Sequence, residues 1–207
     1  MSIYAVIDLE TTGLSPDHGA RPTEIAVVLV NNEEIIGRYQ SLMNPGVHIP
    51  YDIQALTGIT NEMVRKAPSV EEVMRQAAKF VDCHPLVAHN AAFDRKFWNA
   101  ELQRFGLHHH QKFTCSLLLS RRIFPDAPNH KLETLVQTLN LPTTGRYHRA
   151  LADAEATAYL LMRLRQELLR RFQLSVVSNE LLLAIQVANR RQLETCVRNH
   201  RGVRQSA

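Results

Sequence analysis

The chain has 207 residues, 45% of them hydrophobic and only 6% aromatic, which fits one domain with a single aliphatic core and at most a small appendage. No run of 18 apolar residues occurs, and the three cysteines (Cys83, Cys115, Cys196) lie far apart, so a bilayer-spanning helix, a disulfide framework and a paired-cysteine zinc site are all excluded as expectations. The net charge is +4, but residues 1–165 balance at 17 basic and 17 acidic, and residues 166–207 supply the whole excess with seven arginines against three glutamates. Most of the chain is therefore no basic glove for nucleic acid, although bound cations can reverse the sign of an acidic pocket.

The start, Met1-Ser2-Ile3-Tyr4, lacks the basic and then apolar pattern of a secretory signal, so a cytoplasmic protein without membrane contact is expected. Residues 2–8 form a short run of strand formers that gives way to turn residues at Thr11-Thr12-Gly13. Two further strands are predicted over 24–30 and 34–42, close enough in sequence to make an antiparallel meander. Ser69 and Glu72 have the spacing of a capping box before the helical pattern of Val73, Met74, Ala77, Ala78 and Val81. Residues 85–89 read as a short buried strand. Helices follow over 92–104 and 131–139, then a long one over 149–171 with a stripe of Leu151, Ala154, Ala158, Leu161, Leu164 and Leu168. A last helical stretch covers 179–198 before a basic tail. A meander followed by alternating strands and helices predicts an α/β domain over 1–171 with a mixed sheet and flanking helices, plus a short helical, basic extension over 172–207.

Against this frame four acids and a histidine stand out. Asp8 and Glu10 are two apart at the end of the first strand, so both project to one side of the sheet, where their mutual repulsion calls for a cation or for solvent. An isolated Asp-x-Glu is equally what two solvated acids at a strand end look like. Asp94 falls in the first turn of a predicted helix, where the macrodipole favours any acid. His148 and Asp153, five apart, would diverge on one helix but converge if His148 lies in the loop before it and Asp153 one turn inside. Each piece alone has a plain reading as solvated surface. Together, four carboxylates could hold two divalent cations, and a histidine could serve as general base.

The segments Asp8-Leu9-Glu10-Thr11-Thr12-Gly13-Leu14, His89-Asn90-Ala91-Ala92-Phe93-Asp94 and His148-Arg149-Ala150-Leu151-Ala152-Asp153-Ala154, in this order, resemble the three motifs of the DEDDh 3′→5′ exonucleases. That family includes the epsilon subunit of bacterial DNA polymerase III and the exonuclease domain of PolC-type polymerases. The resemblance covers roughly residues 1–165 and implies a ribonuclease-H-like fold that hydrolyses phosphodiester bonds at DNA 3′ ends and releases nucleoside 5′-monophosphates. It implies Asp8, Glu10, Asp94 and Asp153 as ligands of two Mg²⁺ or Mn²⁺ ions and His148 as the base. Thr11, Thr12, Gly13 and Leu14 would cradle the terminal nucleotide, with Leu14 wedged against its base and Asn90 and Phe93 lining the same pocket. A sister class has tyrosine four residues before the last aspartate. Here that position is Arg149, which supports the histidine class and leaves Tyr147 structural. Gly58-Ile59-Thr60 is similar to a family segment often preceded by histidine, but Thr57 stands there.

Single-stranded DNA or RNA 3′ ends are the partners implied. Trimming of RNA and a polymerase-associated proofreading or accessory module are the alternatives, with a DNA polymerase catalytic subunit as a further partner through residues 172–207. In that segment Leu181, Leu182, Leu183, Ile185 and Val187 suit packing on the domain or on a partner, while Arg190, Arg191, Arg198, Arg201 and Arg204 suit a nucleic-acid backbone. His108-His109-His110 reads as a solvated loop and Arg121-Arg122 as a solvated basic pair that could also meet phosphates.

Overall fold

The computed structural model describes residues 3–142, 145 and 148–205, with side chains as far as 200. Tyr147 and the side chains of Arg201 and Arg204 therefore lie outside the described residues. A five-stranded mixed sheet has, in spatial order, β3 (Glu34–Leu42), β2 (Pro22–Asn31), β1 (Ile3–Thr11), β4 (Leu86–Ala88) and β5 (Phe113–Cys115). Strands β1, β2 and β3 make the expected antiparallel meander. Strands β4 and β5 add in parallel beside β1.

Alternation along β1 assigns each sheet face its own core. Ala5, Ile7 and Leu9 pack with Ile25 and Val27 against α3 (Val70–Val81) and α4 (Ala92–Arg104), through Val73, Met74, Ala77, Phe97, Trp98 and Leu102. Tyr4 and Val6 join Ala26, Val28 and Val30 on the other face, beneath α7 (Ala150–Phe172). Helix α3 begins as its sequence demands, the Ser69 hydroxyl accepting from the Glu72 amide at 3.2 Å. Helices α5 (Ser116–Ile123) and α6 (Leu132–Thr138) complete the α7 layer.

The connection between β3 and α3 carries two short helices the periodicity does not announce, α1 (Tyr51–Thr57) and α2 (Asn61–Arg65). They are local in origin: Pro50 precedes α1, Gly58 at φ 73° ends it, and the Thr60 hydroxyl caps α2 by accepting from the Met63 amide. Thr57 is buried and its hydroxyl donates to the Ile53 carbonyl and accepts from the Ile59 amide, so this position serves the turn.

The C-terminal segment is two helices, not one: α8 (Asn179–Val187) and α9 (Leu193–Gln205). Ala188 turns extended and the Asn189 side chain starts a 3₁₀ turn by accepting from the Arg191 amide, which interrupts the helical pattern. Leu181, Leu182, Ile185, Leu193 and Val197 are buried in the same core as Tyr4 and Val28. Gln186 also closes the sheet edge, accepting from the Cys115 amide at 2.7 Å and donating to the Phe113 carbonyl at 3.1 Å. Arg122 donates to the carbonyls of Ala188 and Leu118, so this half of the arginine pair is structural. His109 is partly packed, edge-on to Trp98 and Phe113, and only its neighbours His108 and His110 are exposed. The three cysteines are free. Among the described residues no helix is long and apolar enough to cross a membrane.

Candidate active site

Strands β1, β4 and β5 run parallel, so their C-terminal ends share one end of the sheet. Asp8 and Glu10 continue the Tyr4–Val6 face and therefore point to the side covered by α7. The start of α7 lies over them, and Asp153 sits in its first turn. His148 is in the preceding loop, as its spacing requires. Ligating atoms of Glu10, His148 and Asp153 all lie within 4.8 Å of one another. Asp94 arrives from the opposite layer at the start of α4, and its Oδ1 accepts from the Leu9 amide at 3.1 Å, between the two β1 acids.

The loop before α7 is held under strain. His148 adopts φ 62°, a left-handed conformation unusual for a residue with a side chain, and its amide donates to Asp153 Oδ2 at 2.8 Å. Glu24 secures the other side of this loop. It is the cross-strand neighbour of Glu10, is fully buried, and accepts from Arg149 Nη2 at 2.8 Å, Arg149 Nε at 3.1 Å, the Ala150 amide at 3.0 Å and Gln40 Nε2 at 2.8 Å. In the sequence Glu24 stands only as the first residue of the second predicted strand. A signal was present: Glu24, Ala26, Val28 and Val30 alternate on one face, so an acid there had to be buried and partnered.

The electrostatics separate the acids. Burial pushes Glu10 up to about 8, and the charges of Asp153, Glu24 and Asp94 add to it against a smaller opposing pull from Arg149. Burial likewise takes Asp94 to about 7, opposed by the amides that bond it. Asp8 rises well above the usual carboxylate range through burial, then repulsion from Asp94, Asp153, Glu10 and Glu24. Asp153 is raised by burial despite its hydrogen bond from His148. Burial would raise Glu24 too, but the bonds from Arg149, Ala150 and Gln40 overrule it and hold its pKa low. Four acids with destabilised charges and oxygen donors on several elements suit hard divalent cations, whose binding would relieve that repulsion.

The loop between β1 and β2 closes on itself. The Thr12 amide donates to the Arg21 carbonyl, the Thr12 hydroxyl accepts from the Arg21 amide, and the Thr11 hydroxyl donates to the Gly13 carbonyl. Arg21 in turn forms a two-bond salt bridge with the fully buried Glu101 on α4, at 2.7 and 3.0 Å. A side chain at Gly13 would come within 3.3 Å of the Ala20 Cβ, so glycine permits this closure. The hydroxyls of Thr11 and Thr12 thus shape the loop, and Leu14 stands out from it, 82% exposed. Phe93 is half-buried against Phe97 at 5.1 Å between ring centroids, and Asn90 is exposed at φ 61°. Beneath Asn90, the His89 ring is fixed between Ser116 Oγ at 2.9 Å and the His130 carbonyl at 3.0 Å. Burial lowers its pKa to about 4, so Nε2 donates to that carbonyl and Nδ1 accepts from Ser116.

A sequence model of the exonuclease family matches residues 5–161. The chain is 39% identical over 169 residues to a PolC-type DNA polymerase III of Bacillus cereus and 37% identical over 166 residues to that of Bacillus subtilis. The chain belongs to the DEDDh exonuclease family. These matches take in 81% and 79% of this chain, which spans only 12% and 11% of the two polymerases. The structure of exonuclease X in complex with 5′ overhanging duplex DNA superimposes with a TM-score of 0.69 at 28% identity, covering 88% of this chain and 99% of that one. The nuclease domain of 3′hExo, a DEDDh family member bound to rAMP, shares the fold at 21% identity, with a TM-score of 0.69 over 86% of this chain and 96% of that one. The matched span takes in Asp8, Glu10, Asp94, Asp153 and His148.

Proposed function

We propose that this chain removes nucleotides from the 3′ ends of DNA by hydrolysis and releases nucleoside 5′-monophosphates. The observation that carries this reading is the gathering of four carboxylates, none of them ion-paired among the described residues, with His148 at one end of the sheet. Asp8, Glu10, Asp94 and Asp153 would hold two divalent cations, Mg²⁺ or Mn²⁺. When bound, such cations lower the pKa of water and neutralise charge on the departing 3′ oxygen. The exposed His148 ring, set by the Asp153 and Glu24 contacts of its loop, would take the proton of the attacking water at a ring nitrogen. Leu14 would press on the terminal base, with Asn90 and Phe93 completing the pocket and the closed Thr11–Gly13 turn holding Leu14 in place.

The first 171 residues would form the catalytic unit and residues 172–207 its extension. Leu181, Leu182, Ile185, Leu193 and Val197 are taken up by the chain's own core, so a polymerase subunit would meet the other faces of α8 and α9, which include the exposed Val187. Likeness to PolC-type polymerases supports a polymerase-associated proofreading role as a second reading. Co-purification with a polymerase catalytic subunit is its test, and a solitary monomer in such a pull-down would count against it.

The activity is tested on 5′-labelled single-stranded DNA and matched RNA with Mg²⁺, Mn²⁺ or EDTA, beside Asp8→Ala and His148→Ala. The expected result is a metal-dependent ladder that shortens from the 3′ end, lost in the first variant and reduced about 10²–10⁴-fold in the second. Preference for RNA would replace the DNA reading, and cleavage of neither would overturn the exonuclease.

A further inference from the structure

The sheet end that gathers the acids continues sideways. Beyond β1 come β4 and β5, and at about 4.8 Å per strand the end of β5 lies about 10 Å from that of β1. There a groove of about 390 Å³ opens between the start of α4, the start of α5 and the end of α8. Asn90 forms its near wall, so the groove adjoins the proposed nucleotide pocket that the same residue would line. Arg95 and Arg121 line it without any acidic side chain, and neither enters an ion pair among the described residues. The far wall is Gln186 and Val187 of α8, with Val187 77% exposed. The arginine pair read from the sequence thus divides: Arg122 braces α8, while Arg121 faces the groove.

We infer that this groove holds the sugar-phosphate backbone of the same strand just upstream of its 3′-terminal nucleotide, with Arg95 and Arg121 contacting phosphates and Val187 meeting a base or sugar. This rests on the exonuclease reading for the strand's direction, since a chain whose last nucleotide sits at the acids must leave past an adjoining wall. A cationic groove offers the polyanion what the acidic centre cannot, and the bulk charge of the first 165 residues is zero. The groove also gives α8 a part in substrate binding, because it supplies one wall.

Binding in EDTA tests this without requiring cleavage. Fluorescence anisotropy would compare a thymidine dinucleotide with an oligothymidylate of about twelve nucleotides, on the wild type, an Arg95→Glu/Arg121→Glu variant and an Arg95→Lys/Arg121→Lys variant. The glutamate variant is expected to bind the long strand about tenfold or more weakly, to lose about 1.4 from its log–log salt slope, and to bind the dinucleotide within about twofold of wild type. The lysine variant should recover most of the loss, and unchanged melting would show the fold intact. Equal affinity and slope in wild type and glutamate variant would overturn the groove, as would equal losses for both ligands. A wild type that binds the long strand through these arginines yet cleaves no 3′ end would sink the exonuclease and leave the groove standing.

Discussion

Two sets of buried acids in this molecule are treated oppositely. Glu24 and Glu101 are each fully buried, and each is met by a guanidinium, Arg149 and Arg21 respectively. Asp94 and Asp153 are nearly as buried, and with Asp8 and Glu10 they form a group with no ion pair among the described residues. The paired acids fasten loops: Glu101 ties the β1–β2 loop to α4, and Glu24 ties the His148 loop to the sheet. The unpaired ones keep raised pKa values and mutual repulsion. Among the described residues, arginines meet two of the acids and none of the four neighbours, which is the arrangement that the proposed cation binding requires.

Neutralising one acid from each set should break the comparison most sharply. Asp8→Asn is expected to reduce exonuclease activity about 10³-fold or more while raising the metal-free melting temperature at pH 8, because it removes repulsion. Glu101→Gln should do the reverse to stability, lowering it on the order of 3 kcal/mol by leaving Arg21 without its charge partner. A metal-free Asp8→Asn protein less stable than wild type would remove the argument.

Glu24 sits between the two sets, paired itself but adjacent to Glu10 and the His148 loop. Glu24→Gln should lower kcat about 10–100-fold with little change in KM, since it loosens the loop that sets His148 without touching the nucleotide pocket. A change confined to KM would show that Glu24 acts on binding instead.

The placement of the proposed catalytic residues was legible in the sequence because their motifs are local: strand alternation put Asp8 and Glu10 on one face, and a five-residue spacing put His148 before the helix. The meander and the helix over Ala92–Arg104 were legible through long, regular patterns. What escaped was short or non-local. Strand β5 has three residues and is defined by pairing with β4, not by its own pattern. The split between α8 and α9 depends on one asparagine cap within an otherwise helical stretch. The partners of Glu24 lie 125 residues away for Arg149 and 16 for Gln40, and only the fold brings them together.

Titration sharpens the same contrast. Glu10 and Asp94 have folded-state pKa values near 8 and 7, above their usual values, so the native state binds protons there that the unfolded chain releases. Metal-free stability must then fall as pH rises through about 6.5 to 8. Below 6.5 the buried neutral His89, lowered to about 4, works the other way, because the unfolded chain gains its proton first. Thermal melts in EDTA across the upper window should therefore slope downward, and Mg²⁺ or Mn²⁺ should flatten the slope by stabilising the charged acids. A flat profile in EDTA would mean that burial and neighbouring charge do not raise Glu10 and Asp94 in the folded chain.

The smallest effect is expected at the loop that Glu101 holds. Leu14 is 82% exposed, so Leu14→Ala removes almost no packing and should leave the melting temperature unchanged. If the side chain presses on the terminal base, truncation removes apolar contact worth about 1 kcal/mol and should raise KM about fivefold. Substituting Phe97, which is fully buried beneath Phe93, should instead lower stability along with activity. The pair separates a contact made only with substrate from one made within the fold. Equal KM in wild type and Leu14→Ala would leave this large apolar side chain exposed on the β1–β2 loop with no part in gripping the strand, and the terminal base would have to be held from the Asn90 side alone.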